Sequence, residues 1–226
     1  MVQLTAAALF FLGIHFGIAG TPMRSRAVAL LGEKVYRGIF STLSLLGLFW
    51  LGHAYRGAEY IETWGQLTAL KPVAAALMLL AFLLAVLGLA TPNPTAVGGE
   101  RLLEQDVPAQ GVMRFTRHPF LWGVATWAAV HTLVNGDLAS LILFGSLLLL
   151  VLRGMVSIDR KRRLALGEHW ERFAAATSII PFQAILQGRN RLVWAEFRWW
   201  HLLAAFLAYG AVMHFHKALF GVSPLF

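Results

Sequence analysis

The chain has 226 residues, 58% of them hydrophobic and only 13% charged, with a formal net charge of +8 and a mean hydropathy of +0.65. About a quarter of an ordinary soluble domain is charged, so this composition excludes a water-soluble globule and leaves no room for a separate soluble catalytic domain of the usual ~100 residues. The absence of cysteine excludes a disulfide framework, a thiolate nucleophile and a thiolate ligand, and leaves His, Met, Tyr and carboxylates for coordination.

Six mostly apolar runs approach the ~20 residues that a helix needs to cross the hydrocarbon core. They predict an all-α fold, a polytopic membrane helix bundle with about six transmembrane helices forming one domain over residues 1–226. The runs are Leu4–Gly20, Tyr36–Ala54, Leu70–Ala90, Phe120–Val134, Leu138–Met155 and Phe197–Phe215, the fourth being the shortest. Arg24 is the first cation and follows the first run, so that segment is expected to stay as a helix rather than be cleaved as a signal peptide. The third run reads as lipid-facing helix. Thr91–Gly99 holds two prolines and two glycines and predicts a loop. Between the fifth and sixth runs lies the longest polar stretch, Arg153–Arg198. Within it Leu166, Trp170 and Phe173 recur at four and three residues, which predicts an amphipathic interfacial helix with Arg160, Lys161, Arg162 and Arg163 near its start, suited to acidic lipid.

Lys and Arg are distributed unevenly between these runs. Thr21–Arg37 carries four, Thr91–His118 three and Arg153–Arg198 nine, against only Arg56, Lys71 and Lys217 on the other side. The positive-inside rule then makes the three basic segments cytoplasmic and puts both termini on the periplasmic side. Cations flanking apolar spans account for the net charge through orientation and anionic headgroups, so membrane lipid, and no nucleic acid, is the expected partner.

A histidine within a span needs a partner and is a functional candidate. His15 lies in Gly13-Ile14-His15-Phe16-Gly17, where two glycines four apart permit close helix approach. His131 shares a face with Gly123 and Trp127, each four residues from the next. Measured from the cytoplasmic ends, the two differ in depth by roughly 9 Å. Two imidazoles on opposite faces of one iron hold their backbones on the order of 12 Å apart, so a bis-histidine haem is geometrically allowed, as is a pairing of His53 with His131. The alternative is that each imidazole donates to a carbonyl or hydroxyl on a neighbouring helix.

A second constellation is Arg114-Phe115-Thr116-Arg117-His118-Pro119, directly before the fourth run. Pro119 suits the first helical position and places His118 at the cap, beside unpaired N–H groups. Arg114, Arg117 and His118 there would suit a carboxylate or phosphate, or would serve as an anchor that caps the helix. Glu33, Asp159, Glu168 and Glu171 are expected to pair with nearby arginines. His214 and His216, two apart on a helix, point in different directions.

Several separated blocks in order resemble the NnrU family of bacterial membrane proteins. They are His15-x-Gly17-x-Ala19, Arg24, Leu31-Gly32-Glu33, Tyr36-Arg37-Gly38, Arg117-His118-Pro119 and Ala129-Val130-His131-Thr132-Leu133, within residues 3 to 200. The resemblance implies a bacterial inner-membrane protein linked to denitrification through production of active nitrite and nitric oxide reductases, with those enzymes or their maturation factors as partners. The 15-cis-zeta-carotene isomerases are similar in the same blocks. That similarity implies a b-type haem with His15 and His131 as metal ligands; Ala128 stands where those isomerases carry a cysteine. Arg117 and His118, from the constellation before the fourth run, and Trp127, on the face of His131, complete the candidate cofactor-binding residues. Arg117-His118-Pro119-x-x-x-Gly123, Leu166-Gly167-Glu168-His169-Trp170 and Ile180-Pro181-Phe182 are also similar to the isoprenylcysteine carboxyl methyltransferases. This second likeness implies an alternative in which His118 and the arginines meet S-adenosylmethionine and Trp170 packs on it.

Overall fold

A computed structural model describes residues 1–96, 98–99, 101–104 and 109–225. The α-helices among them, in chain order, are α1 (Val2–Gly13), α2 (Met23–Leu31), α3 (Glu33–Arg56), α4 (Lys71–Ala90), α5 (Arg101–Glu104), α6 (Pro119–Asn135), α7 (Leu138–Leu166), α8 (Glu168–Ala176), α9 (Gln183–Leu186) and α10 (Trp199–Phe220). Five segments are long and apolar enough to cross a membrane: Val2–Ala19, Glu33–Arg56, Thr68–Ala90, Leu138–Leu166 and Trp199–Phe220.

The fourth predicted run forms α6, but this helix has 17 residues, about 25 Å of rise against a hydrocarbon core of ~30 Å. Its ends are set locally. Pro119 takes the first helical position, and Gly136 turns the chain with φ +62°. Asp137 then caps α7, its Oδ1 accepting the Ser140 N–H at 2.9 Å. The resulting helix runs for 29 residues, past the predicted end at Met155, and carries Asp159 to Arg163 on its last turns. The loop predicted over Thr91–Gly99 is present in its described residues, where Asn93 Oδ1 accepts from both N and Oγ1 of Thr95; Val97 lies outside them.

The chain forms two compact units, residues 1–68 with 131–150 and residues 69–130 with 151–226. In the first, α1 lies against α3 around Gly47, where an added Cβ would come within 3.1 Å of the Phe10 ring and 3.2 Å of the Phe11 ring. Leu4, Ala7, Phe11, Leu51 and Ala54 are buried there. At one end of this unit Glu33 pairs with Arg24 at 2.8 Å and Arg37 at 2.7 Å. At the other, the segment after α3 closes over the end of α6, with the N–H groups of Thr63 and Gly65 each donating to the Gly136 carbonyl at 3.0 Å. Trp64 Nε1 donates to the Leu133 carbonyl at 2.8 Å.

In the second unit α4 packs one side, with Met78, Ala81, Leu84, Leu87 and Gly88 buried, while Val73, Leu77, Leu80 and Leu89 stay exposed, so the lipid-facing reading holds for part of its surface. Gly123 of α6 sits where a Cβ would meet the Ala81 carbonyl oxygen at 2.7 Å and the Ala85 nitrogen at 2.9 Å. Gly88 meets the backbone of Phe120 in the same way. Small residues at these positions allow backbones to touch, the device that holds helices together where lipid removes the hydrophobic drive. On the same helix Tyr209 of α10 donates to the Ala75 carbonyl at 3.1 Å and its ring lies 5.9 Å from Phe82.

The predicted amphipathic helix corresponds to α8 only in its later part: Leu166 and the four cations Arg160, Lys161, Arg162 and Arg163 belong to the end of α7, and Gly167, with φ +50°, breaks the chain between the two helices. Trp170 and Phe173 are buried against Leu103, Ala109 and Met113, with Leu166 and Ala174 at the margin. Its apolar face is thus filled by protein. Burying the two aromatic rings contributes on the order of 1.5–3 kcal/mol each.

Candidate functional site

The last turns of the first segment are a π-helix, Ile14–Ala19, and it contains His15. A π-turn re-aims side chains and is common at functional positions. His15 Nδ1 lies 2.7 Å from the Phe11 carbonyl oxygen. A carbonyl only accepts, so Nδ1 carries the hydrogen and the lone pair is on Nε2. The half-buried ring is flanked by Phe11 at 4.5 Å and Phe40 at 5.2 Å, ring centre to ring centre. Among the described residues, no atom of another segment lies within 4 Å of a Cβ built on Gly13 or Gly17, so these glycines make no close helix contact there.

His131 belongs to the same unit but to its other end. Its ring lies 4.8 Å from Phe144, and Phe144 lies 5.8 Å from Tyr55, whose hydroxyl is 2.9 Å from Ser140 Oγ. Phe40, beside His15, and Tyr55 are fifteen residues apart on α3, a rise of about 22 Å. The two histidines thus contact different stretches of α3 and α7, His15 through Phe40 and His131 through Phe144 beside Tyr55. His53 is exposed and stacks on Phe49 of its own helix at 6.3 Å. Trp127 is half-buried in α6. Among the described residues, no three His, Asp or Glu side chains stand as a metal-binding group.

What the second unit does assemble is a cluster around Asp159. His118 is 1% exposed, and its Nε2 lies 2.8 Å from Asp159 Oδ1. Arg117 donates to Oδ2 through Nε at 2.8 Å and Nη2 at 2.5 Å. With a carboxylate as acceptor, Nε2 of His118 carries the hydrogen, and its Nδ1 is buried without a partner among the described residues, as is Trp170 Nε1. The Arg117 guanidinium lies 5.9 Å from the Trp170 ring centre. The backbone before Pro119 is fixed from the same side, with Arg117 N–H donating to the Ser178 carbonyl at 2.9 Å and Thr116 Oγ1 to the Ile179 carbonyl at 2.7 Å.

Arg114 is engaged elsewhere in the unit. It grips Glu196 with Nε and Nη2, both at 2.7 Å, while the Gly111 N–H donates to the same carboxylate at 2.7 Å. Hydrogen bonding to Glu196 raises the Arg114 pKa, and hydrogen bonding to Arg114 lowers that of Glu196 below the usual carboxylate range. Most donors of the expected anion site at Arg114, Arg117 and His118 are therefore taken by two carboxylates that come from 42 and 82 residues away, Nη1 of Arg117 excepted. The pairing of Asp159 and Glu171 with arginine agrees with expectation, Glu171 meeting Arg163 at 2.6 Å. For Asp159 the sequence offered a signal, a single acid ahead of four cations, but not the identity of its partner.

These features define an all-helical, multi-pass membrane protein with a buried Arg-His-Asp cluster in one unit and a tautomer-fixed histidine in a π-turn of the other. The NnrU protein family matches residues 3–224, and the chain belongs to that family. It is similar to the chloroplastic 15-cis-zeta-carotene isomerases of Zea mays, at 28% identity, and of Arabidopsis thaliana, at 29%, each over 196 residues. Each match covers 84% of this chain and 52% of the relative, so the chain spans about half the length of the curated relatives it matches. No solved structure gives a significant match.

Proposed function

We propose that the chain is a haem b-binding membrane protein in which His15 is an axial ligand through Nε2. The observation that carries this reading is the bond from His15 Nδ1 to the Phe11 carbonyl. It fixes the tautomer and ring direction and enriches the other nitrogen, as the second partner of a metal-bound histidine does. Phe11 and Phe40 give the ring apolar neighbours, at 4.5 and 5.2 Å between ring centres. The reading with His131 as a second ligand is supported by the family likeness. His15 would hold such a haem through Nε2, and the iron would there supply chemistry toward a small molecule or a polyene double bond.

The reaction we favour is a cis–trans isomerisation related to that for which the plant relatives are named. Support of nitrite and nitric oxide reductase production in a bacterial inner membrane is the reading at the level of process, and there the basic segments, on the cytoplasmic side, would meet a reductase or its maturation factors. A methyltransferase is less well supported, because Arg117 and His118 both hold Asp159 and so turn their polar atoms toward the chain itself.

The test is the reduced-minus-oxidised absorption spectrum of protein purified from haem-replete membranes. A Soret band that disappears in His15→Ala and persists in His131→Ala is expected. Absence of the band refutes the cofactor, and loss in both variants restores the paired ligands.

A further inference from the structure

Away from His15, the second unit contains an open cleft of about 610 Å³ that the reading above does not use. Its ionisable lining is Arg117, Arg163, Arg189 and Glu171, and its floor includes the buried Thr177 and Ser178. Both hydroxyls are spent on carbonyls, Thr177 on Phe173 and Ser178 on Ile180, so the donors left for a ligand are guanidinium groups. Arg117 commits Nε and Nη2 to Asp159. Arg163 commits Nε to Glu171. Arg189 commits Nε to Gln187 and Nη1 to the carbonyls of Ala175 and Thr177, which anchors it at the rim. Nη1 of Arg117, both Nη atoms of Arg163 and Nη2 of Arg189 make no hydrogen bond to a described residue. Three guanidinium groups against the carboxylates of Asp159 and Glu171 leave one positive charge.

The surroundings are those of an interface. Ile180, which lines the cleft, is 57% exposed, and Phe182 and Leu186, one residue before and three after the lining residue Gln183 in the chain, are 43% and 84% exposed. Phe182, next to the lining residue Gln183, has φ +64°, in the left-handed region that a bulky side chain avoids. Its ring packs on that of Phe115, with ring centres 3.8 Å apart, and its N–H donates to the Phe115 carbonyl at 2.9 Å. Apolar groups flanking a cluster of free guanidinium donors match an amphiphile with an anionic head.

We propose that this cleft binds a singly charged phosphate ester, with its oxygens between Arg117, Arg163 and Arg189, and that the flanking apolar side chains take the acyl chains of an anionic phospholipid. Guanidinium pairs phosphate oxygens through short, charge-assisted bonds, and the one uncompensated positive charge matches one phosphodiester. Glu171 acts as an internal competitor for Arg163.

The test titrates the purified full chain, in neutral detergent, with dihexanoyl phosphatidylglycerol, dihexanoyl phosphatidylcholine, inorganic phosphate and S-adenosylmethionine by calorimetry. Saturable binding of one equivalent of phosphatidylglycerol is expected, at least about tenfold tighter than phosphatidylcholine and weakened about tenfold or more in R163Q/R189Q, since a hydrogen bond to a charged group is worth that much. Glu171→Gln should tighten binding severalfold, a change that loss of folding cannot produce. If inorganic phosphate binds as tightly and competes, the site is a phosphate site served from solution instead of from lipid. Equal binding of the two lipids, indifference to R163Q/R189Q and Glu171→Gln, or saturable S-adenosylmethionine binding that expels phosphatidylglycerol would overturn the proposal.

Discussion

Removing the carboxylate of Asp159 while leaving its partners in place should be among the most damaging single changes to the second unit. The Arg117 side chain is 12% exposed and that of His118 is fully buried, so Asp159→Ala strands a desolvated guanidinium and leaves Nε2 of His118 without an acceptor. Breaking a buried pair from one side costs about 3–5 kcal/mol. At about 2–4 °C per kcal/mol for a domain of this size, the unfolding midpoint should fall by roughly 6–20 °C. Arg117→Met combined with Asp159→Asn removes both charges, keeps an oxygen that accepts from His118, and should lie within about 1 kcal/mol of the parent. The assay is the fraction folded across a dodecyl sulfate titration in mixed micelles, with the thermal midpoint by circular dichroism as a second measure. A loss under 1 kcal/mol in Asp159→Ala, or a double variant as unstable as the single one, would refute the view that unpaired burial is what costs.

Gly123→Val should lose about 1–3 kcal/mol, because the atoms its Cβ meets, the Ala81 carbonyl and the Ala85 nitrogen, are backbone and cannot swing away. Gly13→Ala meets open space and should be neutral or stabilising by up to ~1 kcal/mol in the same thermal assay. The Glu196–Arg114 pair should leave a signature in acid. Because the carboxyl titrates below its ordinary value of 4.5 in the folded protein, its contribution is complete above that pH and is lost as pH falls through the lower folded value. Glu196→Gln should flatten that part of the profile of midpoint against pH, and an unchanged slope would show that other carboxylates govern it.

Most of the helices could be read directly from the sequence because their ends are written in local chemistry. Pro119 starts α6, Gly136 and Asp137 separate it from α7, and Gly167 separates α7 from α8. Each signal acts within a turn or two, so it survives without knowledge of the fold. The role of α4 was legible in principle, since Ala81, Ala85 and Gly88 place small side chains four and three residues apart, but an unbroken apolar run masks such a stripe. What the sequence could not supply was register between helices. Placing His15 and His131 by counting from assumed membrane faces treats every helix as starting at one plane. Here α1 meets α3 through Phe11 at Gly47 and His15 at Phe40, whereas His131 is placed through Phe144 at Tyr55. Those contacts depend on which ridges interlock, a property of pairs of helices and not of either one. The same reasoning explains why the acid that completes the Arg-His-Pro segment was recognisable only as an acid in need of a cation: its partner was chosen by the packing of α7 against the turn before α6, not by proximity in the chain.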